Sequence, residues 1–316
     1  MSVYFHLPGL RYNFPLNMLL VDLMEKSPQM FREGVKIASM FGEFPTSRWN
    51  GGRFSGGDQC DAKYIRGVIS AINEKGIAVR YTYTNPLLNE YDLKDEYCNF
   101  CMKAADNGMN EVIVVSELLE QYIRETYPAF PITSSTCKEI KDMDALNSEL
   151  QKDYKLVVLD YNLNNRFEVL EQIEKKECCE LLVNSCCQPG CPRRGEHYRF
   201  IAKQETIALK NRKIPADKQI PMPCWHCEYG ENTTLSVIKN YSTHISPEAI
   251  WEKYVPMGFQ NFKIEGRTAN LFLLIDTYVY YLAKPEYRDE VRFLLTTNLQ
   301  AHKVIVVNKP KRGVWP

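Results

Sequence analysis

Two thiol-bearing segments set the chemistry of this chain. The first, Cys186-Cys187-Gln188-Pro189-Gly190-Cys191-Pro192, follows an apolar run that stops at Asn184; the second, Pro223-Cys224-Trp225-His226-Cys227-Glu228, is a Cys-x-x-Cys turn. Thiols at such spacing on irregular backbone can converge on one soft metal centre, whereas cysteines scattered through helices and strands serve as small buried hydrophobes. Cys187, Cys191, Cys224 and Cys227 are therefore the candidate metal ligands, and sulfur donors select iron–sulfur or zinc over magnesium or calcium. Zinc is the alternative, since a four-cysteine structural site also uses closely spaced thiol pairs. The prolines hold these loops extended, leaving backbone amides free to donate to cluster sulfurs. Cys98 and Cys101 repeat the Cys-x-x-Cys spacing inside a helical pattern, where both fall on one side and packing is expected. Cys60, Cys137 and Cys186 are the outside candidates for a ligand.

The elements that must position these loops alternate between short β-rich runs and longer amphipathic stretches. Strands are expected over 3–7, 77–84, 111–116, 132–136, 155–161, 179–184 and 261–265, with one more near the glycine-rich 42–53 segment. Helical periodicity marks 17–40, 61–73, 96–107, 117–126, 164–175 and 247–254. This βαβα order, with no repeat or linker dividing the chain, predicts an α/β fold: a single-domain (β/α)8 TIM-like barrel over 1–287 with a C-terminal strand and tail over 288–316. An open doubly wound sheet is the alternative.

In a barrel the residues just beyond the strands gather at the C-terminal mouth, where the metal centre is expected. Asn85, Ser135, Asn184, Lys263 and Arg267 fall there and are candidate substrate-binding residues. Arg194, His197 and Glu265 are candidate catalytic residues: guanidinium groups clamp carboxylates, imidazole moves protons at neutral pH, and a carboxylate can serve as base. A plainer reading has Ser and Asn capping helices and Lys263, Glu265 and Arg267 forming an ion-paired strand end. No Gly-x-Gly-x-x-Gly follows a strand and no phosphate-binding loop is present, which argues against a dinucleotide or nucleotide enzyme.

Composition sets the remaining bounds. The chain has 316 residues, 45% of them apolar, and equal numbers of basic and acidic residues, 39 each. A core of ordinary size is available, and the balanced charge gives no reason to expect nucleic acid or an anionic membrane as partner. The apolar run at 271–275 is broken by Asp276 and is too short for a bilayer. Eleven cysteines, an odd number, behind an N-terminus that reads as a strand rather than a leader, point to a reducing, cytoplasmic setting.

Two segments resemble the collagenase-like peptidase family. Asn261-Phe-Lys-Ile-Glu-Gly-Arg267, preceded by His244-Ile-Ser-Pro-Glu and Gly258, is similar to its closing strand, and Glu180-Leu-Leu-Val-Asn184 with Cys187-Gln-Pro-Gly-Cys191-Pro, Arg194 and His197 is similar to its cysteine-bearing strand end. The segments 76–85, 110–116, 131–136 and 155–162 resemble its successive strands. The resemblance implies a barrel holding a 4Fe-4S cluster, and relatives that hydroxylate ubiquinone precursors without oxygen or support hydroxylation of bases in RNA. It leads to the expectation of an iron–sulfur enzyme of anaerobic metabolism that hydroxylates a small or carrier-bound, anionic substrate. The alternatives are an open iron acting as Lewis acid in dehydration or sulfur transfer, a non-catalytic half of a hetero-oligomer with a related protein, and a peptidase. The chain departs from the family where Asn184-Ser185-Cys186-Cys187 replaces the peptidase-type His-Gly before the first cysteine and where position 174 is Glu.

Overall fold

The computed structural model describes residues 2–45, 47–51, 60–228, 234–266 and 270–305. Eight strands, β1 (Val3–Pro8), β2 (Val35–Gly42), β3 (Ala78–Tyr83), β4 (Glu111–Val114), β5 (Ile132–Ser134), β6 (Leu156–Val158), β7 (Cys179–Leu182) and β8 (Asn261–Lys263), pair in sequence order and close into a barrel. Every pairing is parallel, and β8 returns to β1 through Phe262 opposite Phe5. The expectation of a closed α/β barrel is met.

Helices α1 (Phe14–Lys26), α2 (Ala62–Glu74), α3 (Glu96–Ala105), α4 (Glu117–Thr126), α5 (Met143–Gln151) and α6 (Phe167–Leu170) connect the first seven strands. Asp61, Asp95, Ser116 and Asp142 cap α2 to α5 by accepting backbone amides of the first turn. Beyond β7 come α7 (Arg194–Asn211), α8 (Leu235–Ile238), and α9 (Pro247–Ala249), which runs through a π-helical turn, Ile250–Tyr254, into α10 (Val255–Met257). After β8 follow α11 (Leu271–Leu282) and α12 (Arg288–Ala301). Their apolar faces, with Leu20, Ile65, Ile69, Leu119, Ile123, Tyr278 and Leu295 among them, are buried in one continuous core with the outward side chains of the strands.

The second strand is where periodicity misleads. The helix expected over 17–40 ends at Lys26, because Pro28 and then Gly34, at φ 76°, break it. The run Val35-Lys-Ile-Ala-Ser-Met-Phe-Gly42 then forms β2, so the strand is not at 42–53; the described residues of that segment, 43–45 and 47–51, are irregular. The helix expected over 164–175 shrinks to α6, and residues 288–301, assigned to a C-terminal strand and tail, form α12. The tail over 306–316 lies outside the described residues.

The barrel interior is polar. Arg80 on β3 donates to Glu111 on β4 at 2.8 Å and to Glu180 on β7, on the opposite side of the barrel, so the contact crosses its axis. His6 Nδ1 bonds Ser39 Oγ at 2.8 Å and its Nε2 lies 3.3 Å from Glu180; Lys263 lies 3.5 Å from Glu180, and Lys155 2.8 Å from Glu111. Burial and the nearby Arg80 charge lower His6 to about 4, so the ring is neutral at neutral pH. Burial opposes the charge of Glu180, but Arg80, His6 and Lys263 prevail and hold it at about 2.

Candidate functional site

A cavity of about 900 Å³ opens at the C-terminal mouth of the barrel, where Phe41, Thr82, Ile113, Ser135, Leu182 and Lys263 mark the strand ends. Its outer wall is α7, which presents Arg194, His197, Tyr198, Ile201, Glu205 and Ala208 to it. Of the four expected metal ligands, Cys187, Cys191 and Cys227 line this cavity, while Cys224 is exposed and does not. Cys137 and Cys186 line it too. Cys186 and Cys187 both face inward, rather than to opposite sides, because β7 stops at Leu182 and the alternation of a strand ends with it. Cys98 and Cys101 are buried in α3, as packing requires.

The loop carrying Cys224 and Cys227 has no regular structure of its own and is held against α7 by Trp225. The indole stacks on the His197 ring at 4.8 Å and 6°, lies 4.3 Å beneath the Arg193 guanidinium, and is 5.1 Å from Phe200. Gln204 adds a hydrogen bond to the Pro223 carbonyl at 2.7 Å. This clasp brings the second thiol loop to the first.

The cysteine-bearing end of β7 is tied to β8. Asn184 Nδ2 donates to the Glu265 carbonyl at 3.0 Å and its Oδ1 accepts the Glu265 amide at 2.7 Å; the Glu265 carboxylate accepts the Cys186 amide at 3.0 Å. Asn184 and Glu265 thus fix the thiol loop while lining the cavity. Burial pushes the Cys187 thiol up, with the Tyr161 hydroxyl beside it acting in the opposite sense.

The expected substrate-binding and catalytic groups divide. Ser135 lines the cavity and its Oγ accepts the Cys137 amide at 3.1 Å; Lys263 lines it with its ammonium 4.3 Å over the Phe41 ring. Arg194 is 3% exposed and forks onto Asp160, with Glu139 at 3.3 Å and the Tyr161 ring 4.4 Å beneath, so its charge is spent within the wall instead of on a ligand. Asn85 lies outside the cavity lining: it donates to the Arg48 carbonyl at 3.0 Å and accepts the Leu87 amide at 2.9 Å, a loop brace. Arg267 lies outside the described residues.

Several lining residues were not foreseen. Tyr161, Tyr198 and Glu205 belong to segments whose periodicity gives no reason to single them out, and nothing in the second thiol turn marks its Trp225 as a lining residue. Gly51 also lines the mouth, with its Cα so near the Thr84 carbonyl that a Cβ would come to 2.6 Å. Residues 52–59, the rest of the glycine-rich segment, lie outside the described residues.

By donor chemistry these residues fit a thiolate-held centre: three of the four expected thiols face one cavity, and the fourth, Cys224, is three positions from Cys227. The set is not closed, since among the described residues no three cysteine, histidine or acidic side chains stand close enough to share an ion. No helix among the described residues is long and apolar enough to cross a membrane.

No family model matches the chain. An uncharacterized protease of Methanocaldococcus jannaschii is 29% identical over 132 residues, 40% of this chain and 36% of that protein, so the match spans well under two thirds of the relative's length. A solved U32 peptidase aligns at a TM-score of 0.47 and 10% identity, covering 84% of this chain and 92% of that one. In the strand end at Lys263-Ile-Glu-Gly266, the cysteine-bearing end of β7 and its match to a protease sequence, the chain resembles the collagenase-like peptidase family.

Proposed function

We propose that this chain is an enzyme whose barrel mouth holds a 4Fe-4S cluster on Cys187, Cys191, Cys224 and Cys227 and modifies a small or carrier-bound organic substrate, by oxygen-independent hydroxylation. The observation that supports it is the convergence of Cys187, Cys191 and Cys227, from two separate loops, on one cavity large enough for such a substrate. When bound, the cluster would transfer single electrons, or offer a Lewis-acidic iron if one iron kept a free position. The chain's own residues do the rest. Asn184 and Glu265 hold the first thiol loop in place, Trp225 holds the second, and Lys263 and the Ser135 hydroxyl face the space where substrate sits. Cys224, exposed three positions before Cys227, would be the fourth ligand. A related protein as hetero-oligomeric partner and a cytoplasmic setting belong to the same reading.

The test is purification without air, with iron, sulfide and electron paramagnetic resonance measured on the wild type and on the alanine variant of each of the four cysteines. Iron and sulfide in equal amounts, falling at least severalfold in every variant, is the expected result. A preparation holding zinc alone, or no transition metal, overturns the reading.

A peptidase reading is favoured by the name of the matched relative. It needs an activated nucleophile, whereas burial raises the Cys187 thiol above its ordinary range. Cleavage of peptides by metal-free protein, abolished by Cys187→Ala, would establish it over the first.

A further inference from the structure

The wall that α7 supplies contains a group to which none of these roles applies. Glu205 lines the cavity at 6% exposure, and its Oε1 has no hydrogen-bond partner among the described residues. Near it is Glu43, 4% exposed at the residue after β2, whose carboxylate accepts the Thr82 hydroxyl at 2.5 Å. The charged groups acting on Glu205 are Glu43 from the barrel and Arg212 from just past α7, which opposes it. A carboxylate shut from water, with an oxygen unmet and a second carboxylate nearby, is disfavoured by desolvation and by repulsion; the neutral carboxyl is not. Burial first, and Glu43 second, push Glu205 up to about 8.

A neutral carboxyl donates a hydrogen bond as well as accepting one. The wall beside it is apolar: Ile201 and Ala208 lie a turn to either side, with Met222, Ile238 and Leu274 on the same cavity. We propose that Glu205 donates its hydroxyl to the carboxylate of an organic acid with an apolar body, making such acids the ligand class of the mouth. The proton stays on Glu205 and no covalent bond changes; the acid–carboxylate contact is charge-assisted and stronger than a neutral one. The inference rests on the mouth cavity being the substrate site, as the proposed function has it, and not on the cluster.

Because only the protonated form donates, binding must weaken as pH rises through the Glu205 transition, by about 10-fold from pH 7 to pH 9 for one linked proton. The experiment is calorimetric titration of the full-length protein with octanoate at both values. Wild type is expected to show that loss. Glu205→Gln, which keeps a donor that cannot titrate, is expected to bind with no such dependence, and Glu205→Leu to bind at least about 10-fold more weakly at pH 7. Circular dichroism checks that both variants fold. Failure of octanoate to bind at millimolar concentration overturns the inference. So does an unchanged pH slope in Glu205→Gln, which would assign the proton to the thiols or Lys263. Iron measured on the same samples separates the two proposals: cluster kept without linked binding counts against this one, linked binding kept without iron against the other.

Discussion

Glu205 and Arg194 sit on the same helix and show how burial divides two ionisable residues of one wall. Arg194 has Asp160, Glu139 and an aromatic face around it, which hold its charge and raise its affinity for the proton. Among the described residues the Glu205 Oε1 has no hydrogen-bond partner and Arg212 opposes its burial only in part, and its folded value, raised to about 8, exceeds the ordinary 4.5 of the unfolded chain. The native state therefore binds the extra proton between those values, and the group's contribution to stability falls as pH rises through that window. Glu205→Gln is expected to raise stability over wild type at pH 9 by about 1–3 kcal/mol, the scale of a buried polar group left without its partner. Urea unfolding of the two proteins at pH 6 and pH 9 measures it, and equal midpoints at pH 9 would contradict it. A gain in stability on removing a group that binds ligand is the usual relation at functional sites.

At the scale of elements, the second thiol loop depends on α7. The stretch from 219 to 228 has no helix or strand of its own, and α7 holds it through Trp225, the Gln204 bond to Pro223 and a reciprocal pair of bonds between Asn211 and Ile220 at 2.8 Å, while Arg193, just before the helix, lies 3.6 Å from Glu228. Stacking and cation–π contacts of this kind stabilise by about 1–3 kcal/mol together. Trp225→Ala is expected to speed proteolytic cleavage within 219–228 severalfold while leaving the melting temperature of the barrel within a few degrees of wild type. Limited proteolysis followed by mass spectrometry reads both the rate and the place of the cut. Cleavage at wild-type rate would mean the loop is held by something other than the indole.

At the scale of the molecule, the barrel is joined across its axis by Arg80, with Glu111 and Glu180 on either side and His6 and Lys263 completing the set. Removing one member leaves buried charge without a partner, so Arg80→Met is expected to cost about 3–5 kcal/mol in denaturant unfolding. The same network sets the acid response. His6, lowered to about 4, refuses a proton that the unfolded chain takes up from 6.5 downward, so stability falls as pH drops from 6.5 to 4. Glu180, held at about 2, contributes stability above 4.5 that is lost as pH falls toward that value. Both act in one direction, and in the Glu205→Gln protein, which lacks the opposing titration of Glu205 between 4.5 and about 8, the urea midpoint is expected to drop steadily below pH 6.5. A flat midpoint between pH 7 and pH 4 would remove the network from the account of stability.

Much was legible in the residues themselves. Runs such as Val112-Ile-Val114 and Cys179-Glu-Leu-Leu182 declare strands locally, capping residues such as Asp61 and Ser116 start the helices between them, and their alternation implies a barrel with a mouth where Asn184, Cys187, Lys263 and Glu265 must gather. These are short-range signals, a period and a cap, and a sequence states them directly. What lay beyond it depends on partners distant in the chain. Whether Arg194 is free or spent depends on Asp160 and Glu139, and whether Arg80 is a surface charge or an axial tie depends on Glu180, a hundred positions away. Whether a glutamate on α7 keeps its proton depends on how water is excluded around it and on which carboxylate the second strand brings near. Desolvation and Coulomb interaction act through space, so closure of the barrel decides them, and no local pattern could.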